Sequence, residues 1–208
     1  MAEFQDIKKI LVIKLRHIGD VLLTIPAIRA LRDAFPDAEI TALVNSGTED
    51  ALAGSPLIHE IFVLDRAMLK QPLFKKIKYE LSFIKKIRKQ GFGMAVDLTG
   101  GDRPALYSFL SGARYRIGYE PTGGFVGKRF LYTHRFNINR DRHTILQNLE
   151  LLDSAGIKPS AFSLQPLSVD FHISIEDKEW LDNILMHRGI KEEDIIVHVH
   201  PTSRWLFK

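Results

Sequence analysis

The stretch from residue 9 to residue 35 constrains the fold of this chain more than any other. Residues 10–13 are four consecutive apolar residues, and such a run is typical of a strand buried on both faces in a parallel sheet. After Gly19 and Asp20, apolar side chains recur every three or four positions, which predicts one helix that ends before Pro36. In open α/β sheets, ligands bind at the loop that joins such a strand to its helix.

Asp20 has two interpretations at this position. As the N-cap of the helix, its carboxylate would accept hydrogen bonds from free amides and contribute about 0.5–2 kcal/mol. As a catalytic base, it would project from the same loop into a cleft between two domains. The spacing of the residues does not decide between the two.

The rest of the chain alternates between strand-like and helix-like segments, which predicts an α/β fold with a Rossmann-like, doubly wound parallel sheet. We expect one domain over residues 1–157, a linker over 158–170, and the incomplete start of a second domain over 171–208. The predicted strands are 39–44, 60–64, 94–98, 114–117, one near 130–132, and 195–199; the predicted helices are 49–53, 73–89, 103–111, 141–155 and one from Ser174 to Gly189.

The helix predicted over residues 73–89 carries apolar residues on one face and many lysines on the other. One interpretation is an outer helix that covers the sheet and exposes its lysines to water. The other is a helix that docks on an anionic membrane or on an acidic glycolipid, an interpretation that Phe74 and Phe83 favour. The apolar face consists of Leu73, Ile77, Leu81, Ile84 and Ile87.

Several function classes are disfavoured by what the sequence lacks. Cysteine is absent, so disulfides and thiolate metal sites are excluded, and His198 and His200 have no third metal ligand nearby in sequence. No glycine-rich nucleotide fingerprint follows the first strand, which argues against nicotinamide and flavin enzymes. A net charge of +4 favours an anionic partner, but no nucleic-acid-binding motif accompanies it. The N-terminus does not have the pattern of a secretory signal, so we expect a cytoplasmic protein.

Two longer motifs carry a resemblance to a known family. The segment KLRHIGDVLLTIPA at residues 14–27 resembles the N-terminal signature of the lipopolysaccharide heptosyltransferases of glycosyltransferase family 9. The segment HPTSRWLFK at residues 200–208 resembles the motif that opens the second domain, in the form of the heptosyltransferase III type. Residues 97–103, 112–119 and 143–152 follow in the order of the family. The resemblance implies the N-terminal half of a GT-B glycosyltransferase that ends before most of its second domain.

The resemblance also implies a reaction and a set of site residues. Heptose would be transferred from ADP-heptose to the lipopolysaccharide inner core without a cofactor or metal, and Asp20 would be the general base. The protein would lie in the cytoplasm, in peripheral contact with the anionic inner face of the inner membrane. The donor-binding residues would be Thr202, Ser203 and Lys208, and the acceptor-binding residues Gly19, Arg66, Asp102 and Arg103, with Lys128 and Arg129 in neighbouring loops.

Two alternatives stay open. The chain could belong to a glycosyltransferase that uses a different nucleotide sugar. It could also bind acceptor without transferring a sugar, because in the family the donor is held mainly by the second domain. We therefore expect the 208-residue chain to be inactive by itself.

Overall fold

Six strands form one sheet in the first of two compact units, which comprise Met1–His172 and Ile173–Lys208. The computed structural model describes residues 4–120, 123–137, 139–158, 169, 171–191, 193–197 and 199. The strands lie in the order β3-β2-β1-β4-β5-β6, and each neighbouring pair is parallel. Their bounds are Lys9–Lys14 (β1), Glu39–Asn45 (β2), Glu60–Leu64 (β3), Met94–Asp97 (β4), Tyr115–Tyr119 (β5) and His134–Phe136 (β6).

Helices cover both faces of this sheet, which confirms the predicted doubly wound α/β fold. Helices α1, α2 and α5 pack on one face and α3 and α4 on the other, so that β1 is buried from both sides. The two cores contain the side chains that the apolar runs of the strands predicted. The helices of this unit are Ile18–Leu22 (α1), Ile25–Ala34 (α2), Leu73–Lys89 (α3), Asp102–Leu110 (α4) and Thr144–Ser154 (α5).

The strand order reverses between β1 and β4. The chain builds outward from β1 to β3 and then returns to place β4 on the opposite side of β1. At such a reversal the loops after the two strands diverge and leave a crevice at the carboxyl edge of the sheet. The functional site is therefore expected between the loops that follow β1 and β4.

The single helix predicted after β1 is wrong, because the structure has two short helices there. Pro26 has no amide hydrogen to bond to the last turn of α1, so the first helix cannot continue through it. The chain turns at Thr24, whose Oγ1 donates a hydrogen bond to the Val21 carbonyl at 2.6 Å. Helix α2 ends at Ala34, directly before Phe35 and Pro36, as the proline predicted.

The sixth strand also lies elsewhere than predicted. Residues Lys128–Leu131 form a 3-10 turn, and the predicted strand at 130–132 is replaced by β6 a few residues later. The ladder with β5 starts only where the Thr133 amide donates to the Arg116 carbonyl at 2.9 Å. Tyr132, the apolar residue that suggested a strand, is instead buried beneath the loop after β4.

The second unit contains helix α6, Ile175–His187. The Ser174 hydroxyl accepts a hydrogen bond from the Asp177 amide at 2.9 Å, which confirms the predicted helix start. Residues 195–197 and 199 form no strand, contrary to the prediction, since the described part of this unit offers no second strand for pairing. Most of the predicted linker lies outside the described residues.

Candidate functional site

A cavity of about 400 Å³ opens at the carboxyl edge of the sheet, where the strand order reverses. The loops after β1, β2, β3 and β4 all contribute to its wall, and the first turn of α4 closes one side. Three arginines line it, so the cavity is suited to an anionic ligand. The lining residues are Leu15, Arg16, His17, Asn45, Arg66, Thr99, Gly101, Asp102, Arg103 and Pro104.

The loop after β1 is held on both sides by its neighbours. The Leu15 amide donates a hydrogen bond to Thr99 Oγ1 at 2.9 Å. On the other side, Asn45 Nδ2 donates to the Arg16 carbonyl at 3.2 Å. These bonds fix the backbone of the loop, so that Arg16 and His17 are held at the cavity wall.

Asp20 is the third residue of α1 and not its N-cap, so the capping interpretation needs correction. His17 is the cap residue, and its amide donates to Asp20 Oδ2 at 3.4 Å. The same oxygen lies 3.6 Å from His17 Nδ1. Asp20 thus faces back toward the loop, about one third exposed, although neither it nor Gly19 lines the cavity itself.

The three arginines differ in how they are held. Arg103 Nη2 lies 3.1 Å from Glu80 Oε1, and the other oxygen of that carboxylate accepts a hydrogen bond from Tyr107 at 2.6 Å. Among the described residues, no carboxylate forms an ion pair with Arg16 or Arg66. The cavity therefore has two cationic side chains available to a ligand and one whose orientation is fixed by α3.

A fully buried carboxylate, Asp97, supports the loop after β4 from below. Its Oδ1 accepts hydrogen bonds from the amides of Thr99 and Gly100 at 2.7 and 3.1 Å. Its Oδ2 accepts one from the hydroxyl of Tyr132. Burial raises the pKa of Asp97 above its usual value, while these hydrogen bonds and Lys128 act in the opposite direction. The loop is thereby fixed beside the cavity.

Lys14 supports the same loop from β1. Its Nζ is buried and donates to the Leu98 carbonyl at 2.7 Å. Burial lowers the pKa of Lys14 to about 8, and attraction to Asp20 and Asp97 limits this decrease. A buried cation therefore lies beneath the loop after β4, where it also attracts the carboxylate of Asp20.

Lys128 does not line the main cavity, although its loop position suggested that it could. The lysine is buried, and its Nζ donates to the Gly100 carbonyl at 2.8 Å. Nζ also lies 3.2 Å from Asp102 Oδ1. Lys128 and Arg129 line a separate depression of about 260 Å³ on the outer side of this loop.

The structure brings three of the predicted acceptor residues together, namely Arg66, Asp102 and Arg103. The predicted donor residues Thr202, Ser203 and Lys208 lie outside the described residues, as do His198 and His200. The sequence interpretation missed Arg16, His17, Asn45 and Thr99. Asn45 and Thr99 directly follow predicted strands, and Arg16 and His17 lie in the loop after the first one, so position at a strand end was the signal that could have identified them.

The part of the chain that the structure describes contains neither a metal-binding cluster nor a membrane-spanning helix. No group of three or more histidine, aspartate or glutamate side chains is arranged to hold a metal ion in that part of the chain. Likewise, none of its helices has the length and apolar composition required to cross a membrane.

Comparison with curated proteins gives relatives that include lipopolysaccharide heptosyltransferases. The chain is 28% identical over 200 residues to lipopolysaccharide heptosyltransferase 3 of Escherichia coli K12, an alignment that covers 93% of this chain and 54% of that protein. It is 26% identical over 202 residues to lipopolysaccharide heptosyltransferase 1 of Campylobacter coli, covering 90% and 56%. No family model matches the chain. The chain spans about half the length of the curated relatives it matches.

Solved structures show the same fold. The glycosyl transferase family 9 protein of Veillonella parvula superposes with a TM-score of 0.77 at 22% identity, covering 95% of this chain and 56% of that one. E. coli heptosyltransferase WaaC with ADP-2-deoxy-2-fluoro heptose superposes with a TM-score of 0.64 at 19% identity, covering 78% and 51%. The predicted resemblance is confirmed: the chain is similar to the lipopolysaccharide heptosyltransferases over nearly its whole length and shares the fold of these solved structures.

Proposed function

We propose that this chain forms the acceptor-side half of a heptosyltransferase that moves heptose from ADP-heptose to the inner core of lipopolysaccharide. The observation that carries the proposal is the arginine-lined cavity at the reversal of the strand order. It lies in a fold that the heptosyltransferases share, and over a stretch that is similar to them in sequence.

The charge of the cavity fits such an acceptor. The inner core carries phosphate and carboxylate groups, which guanidinium groups bind through paired, charge-assisted hydrogen bonds. Arg16 and Arg66 have no carboxylate partner among the described residues and are free to bind these groups. Arg103 is oriented by Glu80, so we infer that it sets the position of the acceptor.

Asp20 is the proposed general base. The acceptor hydroxyl would attack the anomeric carbon of heptose, the bond from that carbon to the phosphate oxygen would break, and the proton would pass to the Asp20 carboxylate. ADP would leave with the electron pair of the broken bond. We propose that Gly19 leaves room for the acceptor beside Asp20, and that Thr202, Ser203 and Lys208 bind the leaving diphosphate.

The same proposal places the protein in the cytoplasm, at the inner face of the inner membrane. Lipopolysaccharide precursors are anchored in a bilayer by their acyl chains, so an enzyme that modifies them benefits from binding the anionic surface. The lysines of α3 support such a peripheral contact.

The experiment that tests the function is intact-mass analysis of inner-core acceptor after incubation with ADP-heptose. Two proteins are compared: the 208-residue chain and the same chain joined to the second domain of E. coli heptosyltransferase 3. We expect a mass increase of one heptose with the joined chain, its loss in Asp20→Asn, and its retention in the control Asp37→Asn. If the joined chain produces no increase, the proposal is wrong.

A panel of other nucleotide sugars in the same assay tests the first alternative, a transferase with a different donor. The second alternative is supported by one observation: all the residues that line the arginine-rich cavity belong to the first unit, Met1–His172. A chain that only binds acceptor would bind inner-core saccharide in calorimetry and show no heat with ADP.

A further inference from the structure

The apolar face of α3 is buried along only half of the helix. Toward its C-terminus, Phe83 and Ile87 pack into the core beneath the sheet. Toward its N-terminus, Leu73 is 71% exposed and Phe74 is 81% exposed, and Ile77 and Leu81 are exposed as well. A continuous apolar stripe on the helix therefore passes from the core into solvent.

The physical reason is that α3 extends beyond the sheet. The Tyr79 hydroxyl accepts a hydrogen bond at 2.8 Å from the amide of Asp65, the first residue after β3. Tyr79 thus marks the carboxyl edge of the sheet, and α3 begins six residues earlier, at Leu73. At a rise of 1.5 Å per residue, roughly 9 Å of helix projects past that edge. Among the described residues, none in this part belongs to the buried core; we call it the α3 tip (residues 73–78).

The α3 tip is strongly basic around its apolar side chains. Lys75 and Lys78 are exposed and Lys76 is half-buried, while Lys70 precedes the helix. The first acidic residue of the helix is Glu80, whose carboxylate is already occupied by Arg103 and Tyr107. Apolar side chains within a group of lysines are complementary to a surface with an apolar interior and anionic headgroups.

A second exposed apolar element lies at the same edge of the sheet. In the segment 123–127, which we call the glycine loop, Phe125 is exposed and Val126 is fully exposed. This loop lies against the start of α4, since a side chain at Gly124 would collide with the carboxylate of Asp102. Lys128, directly after the loop, pairs with the same carboxylate.

The first turn of α4 connects the two elements to the cavity. Asp102 contacts the glycine loop, and the next residue, Arg103, pairs with Glu80 on α3. Both Asp102 and Arg103 also line the arginine-rich cavity. The glycine loop therefore contacts the cavity wall at Asp102, and α3 contacts the same wall through Glu80, two residues after the α3 tip.

We propose that the α3 tip and the glycine loop form one membrane-binding surface that inserts its apolar side chains into a bilayer containing anionic lipids. The lysines bind the headgroups, while Phe74 and Val126 enter the interfacial region. This arrangement holds the cavity at the lipid surface, a consequence that rests on the proposed function. The membrane binding itself does not depend on sugar transfer, so either proposal can fail without the other.

Vesicle sedimentation with the 208-residue chain tests the proposal. We expect the chain to sediment with vesicles of phosphatidylethanolamine and phosphatidylglycerol, and to stay in solution with phosphatidylcholine vesicles or without lipid. The variant Lys75→Gln/Lys78→Gln should bind roughly 20- to 30-fold more weakly, since each lysine at an anionic surface contributes about a factor of five. Phe74→Ser and Val126→Ser should each weaken binding without changing the circular dichroism spectrum.

Two control variants distinguish binding through this surface from nonspecific adsorption to vesicles. Lys85→Gln/Lys89→Gln removes the same charge from the other end of the same helix, and Leu146→Ser changes an exposed leucine on α5, on the opposite face of the sheet. Both should bind vesicles like the unmodified chain. The proposal is overturned if the two lysine pairs lose equal affinity, if neutral vesicles bind equally well, or if the chain sediments without lipid. The last result would assign the apolar surface to a second copy of the chain.

Discussion

Lys128 and Asp102 form an ion pair of 3.2 Å in which the lysine is buried and the carboxylate is about half exposed. The lysine also donates to the Gly100 carbonyl, so one buried cation connects the segment after β5 to the loop after β4 and to the start of α4. The outer support of the cavity therefore depends on a residue that does not line it.

Replacing this lysine should destabilise the protein. Lys128→Met removes a charge-assisted hydrogen bond to a carbonyl and should lower the free energy of unfolding by about 1.5–3 kcal/mol, as measured by urea titration. Lys158→Met is the matched control, since Lys158 and Asp153 are 3.8 Å apart and both largely exposed. The control should cost less than about 1 kcal/mol. Equal losses would show that Lys128 provides no special support.

Removing the hydroxyl of Tyr132 should destabilise the fold, because Asp97 Oδ2 would then be buried without its hydrogen-bond donor. We expect Tyr132→Phe to lower the free energy of unfolding by about 1.5–3 kcal/mol near neutral pH. Tyr107→Phe is the comparison, because its carboxylate partner Glu80 is partly exposed and keeps Arg103. Tyr107→Phe should therefore lower the free energy of unfolding by less than Tyr132→Phe does.

The cost of Tyr132→Phe should also depend on pH. Burial raises the pKa of Asp97, and the hydrogen bond from Tyr132 limits that rise. A carboxyl whose folded pKa exceeds its unfolded value binds more protons in the folded state, so stability falls as the pH rises between the two values. Tyr132→Phe removes the hydrogen bond that limits the rise, so the folded pKa of Asp97 should increase further. The loss of unfolding free energy caused by the substitution should therefore be smaller at acidic pH than at neutral pH. A cost that does not vary with pH would contradict the assigned hydrogen bond.

The stability of the chain should rise with pH across the titration of Lys14. Its pKa is about 8 when folded and 10.5 as the ordinary value, so the unfolded chain binds the extra proton between these two values. Relative to Lys14→Met, the unmodified protein should gain up to about 3 kcal/mol between the lower and the higher pKa. Lys8→Met changes a lysine at an exposed position, so its free energy of unfolding should change with pH as that of the unmodified protein does. If the free energy of unfolding changes with pH in the same way in all three proteins, the prediction is wrong.

Substitutions in the cavity should weaken acceptor binding. Arg66→Gln and Arg103→Gln should each reduce the affinity for inner-core saccharide roughly 10- to 150-fold in calorimetry, since each removes a charge-assisted contact worth about 1.5–3 kcal/mol. Arg114→Gln, an exposed arginine that does not line the cavity, is the control. An unchanged affinity in both cavity variants would place the acceptor elsewhere.

The parts of the fold that could be predicted from sequence are those governed by local patterns. The bounds of β3 and α3 agree with the prediction because a short apolar run and a helical period were both present without competing signals. The break between α1 and α2 was missed, although Pro26 carried the information, because the apolar period continues through it. The exposure of the α3 tip was not predictable from the helix, since it depends on where the sheet ends.

The candidate site was predictable only in the segments that come after predicted strands. Arg66 and Arg103 were identified in this way, and Arg16 and Asn45 obey the same rule but were overlooked. The buried position of Lys128 could not be inferred, since its partner Gly100 lies 28 residues away in another loop. Likewise, nothing local indicated that Tyr132 would reach Asp97 across 35 residues.

The contacts between β1 and β4 have a consequence for how the chain folds during synthesis. Lys14 finds its carbonyl partner, and Leu15 its Thr99 hydroxyl, across 84 residues of sequence. At about 5–20 residues per second, a ribosome adds those residues in roughly 4–17 s. Until then β1 can pair only with β2, and its other edge presents unpaired amides and carbonyls. An unpaired apolar strand edge promotes aggregation, so nascent chains stalled between β3 and β4 should bind chaperones most strongly.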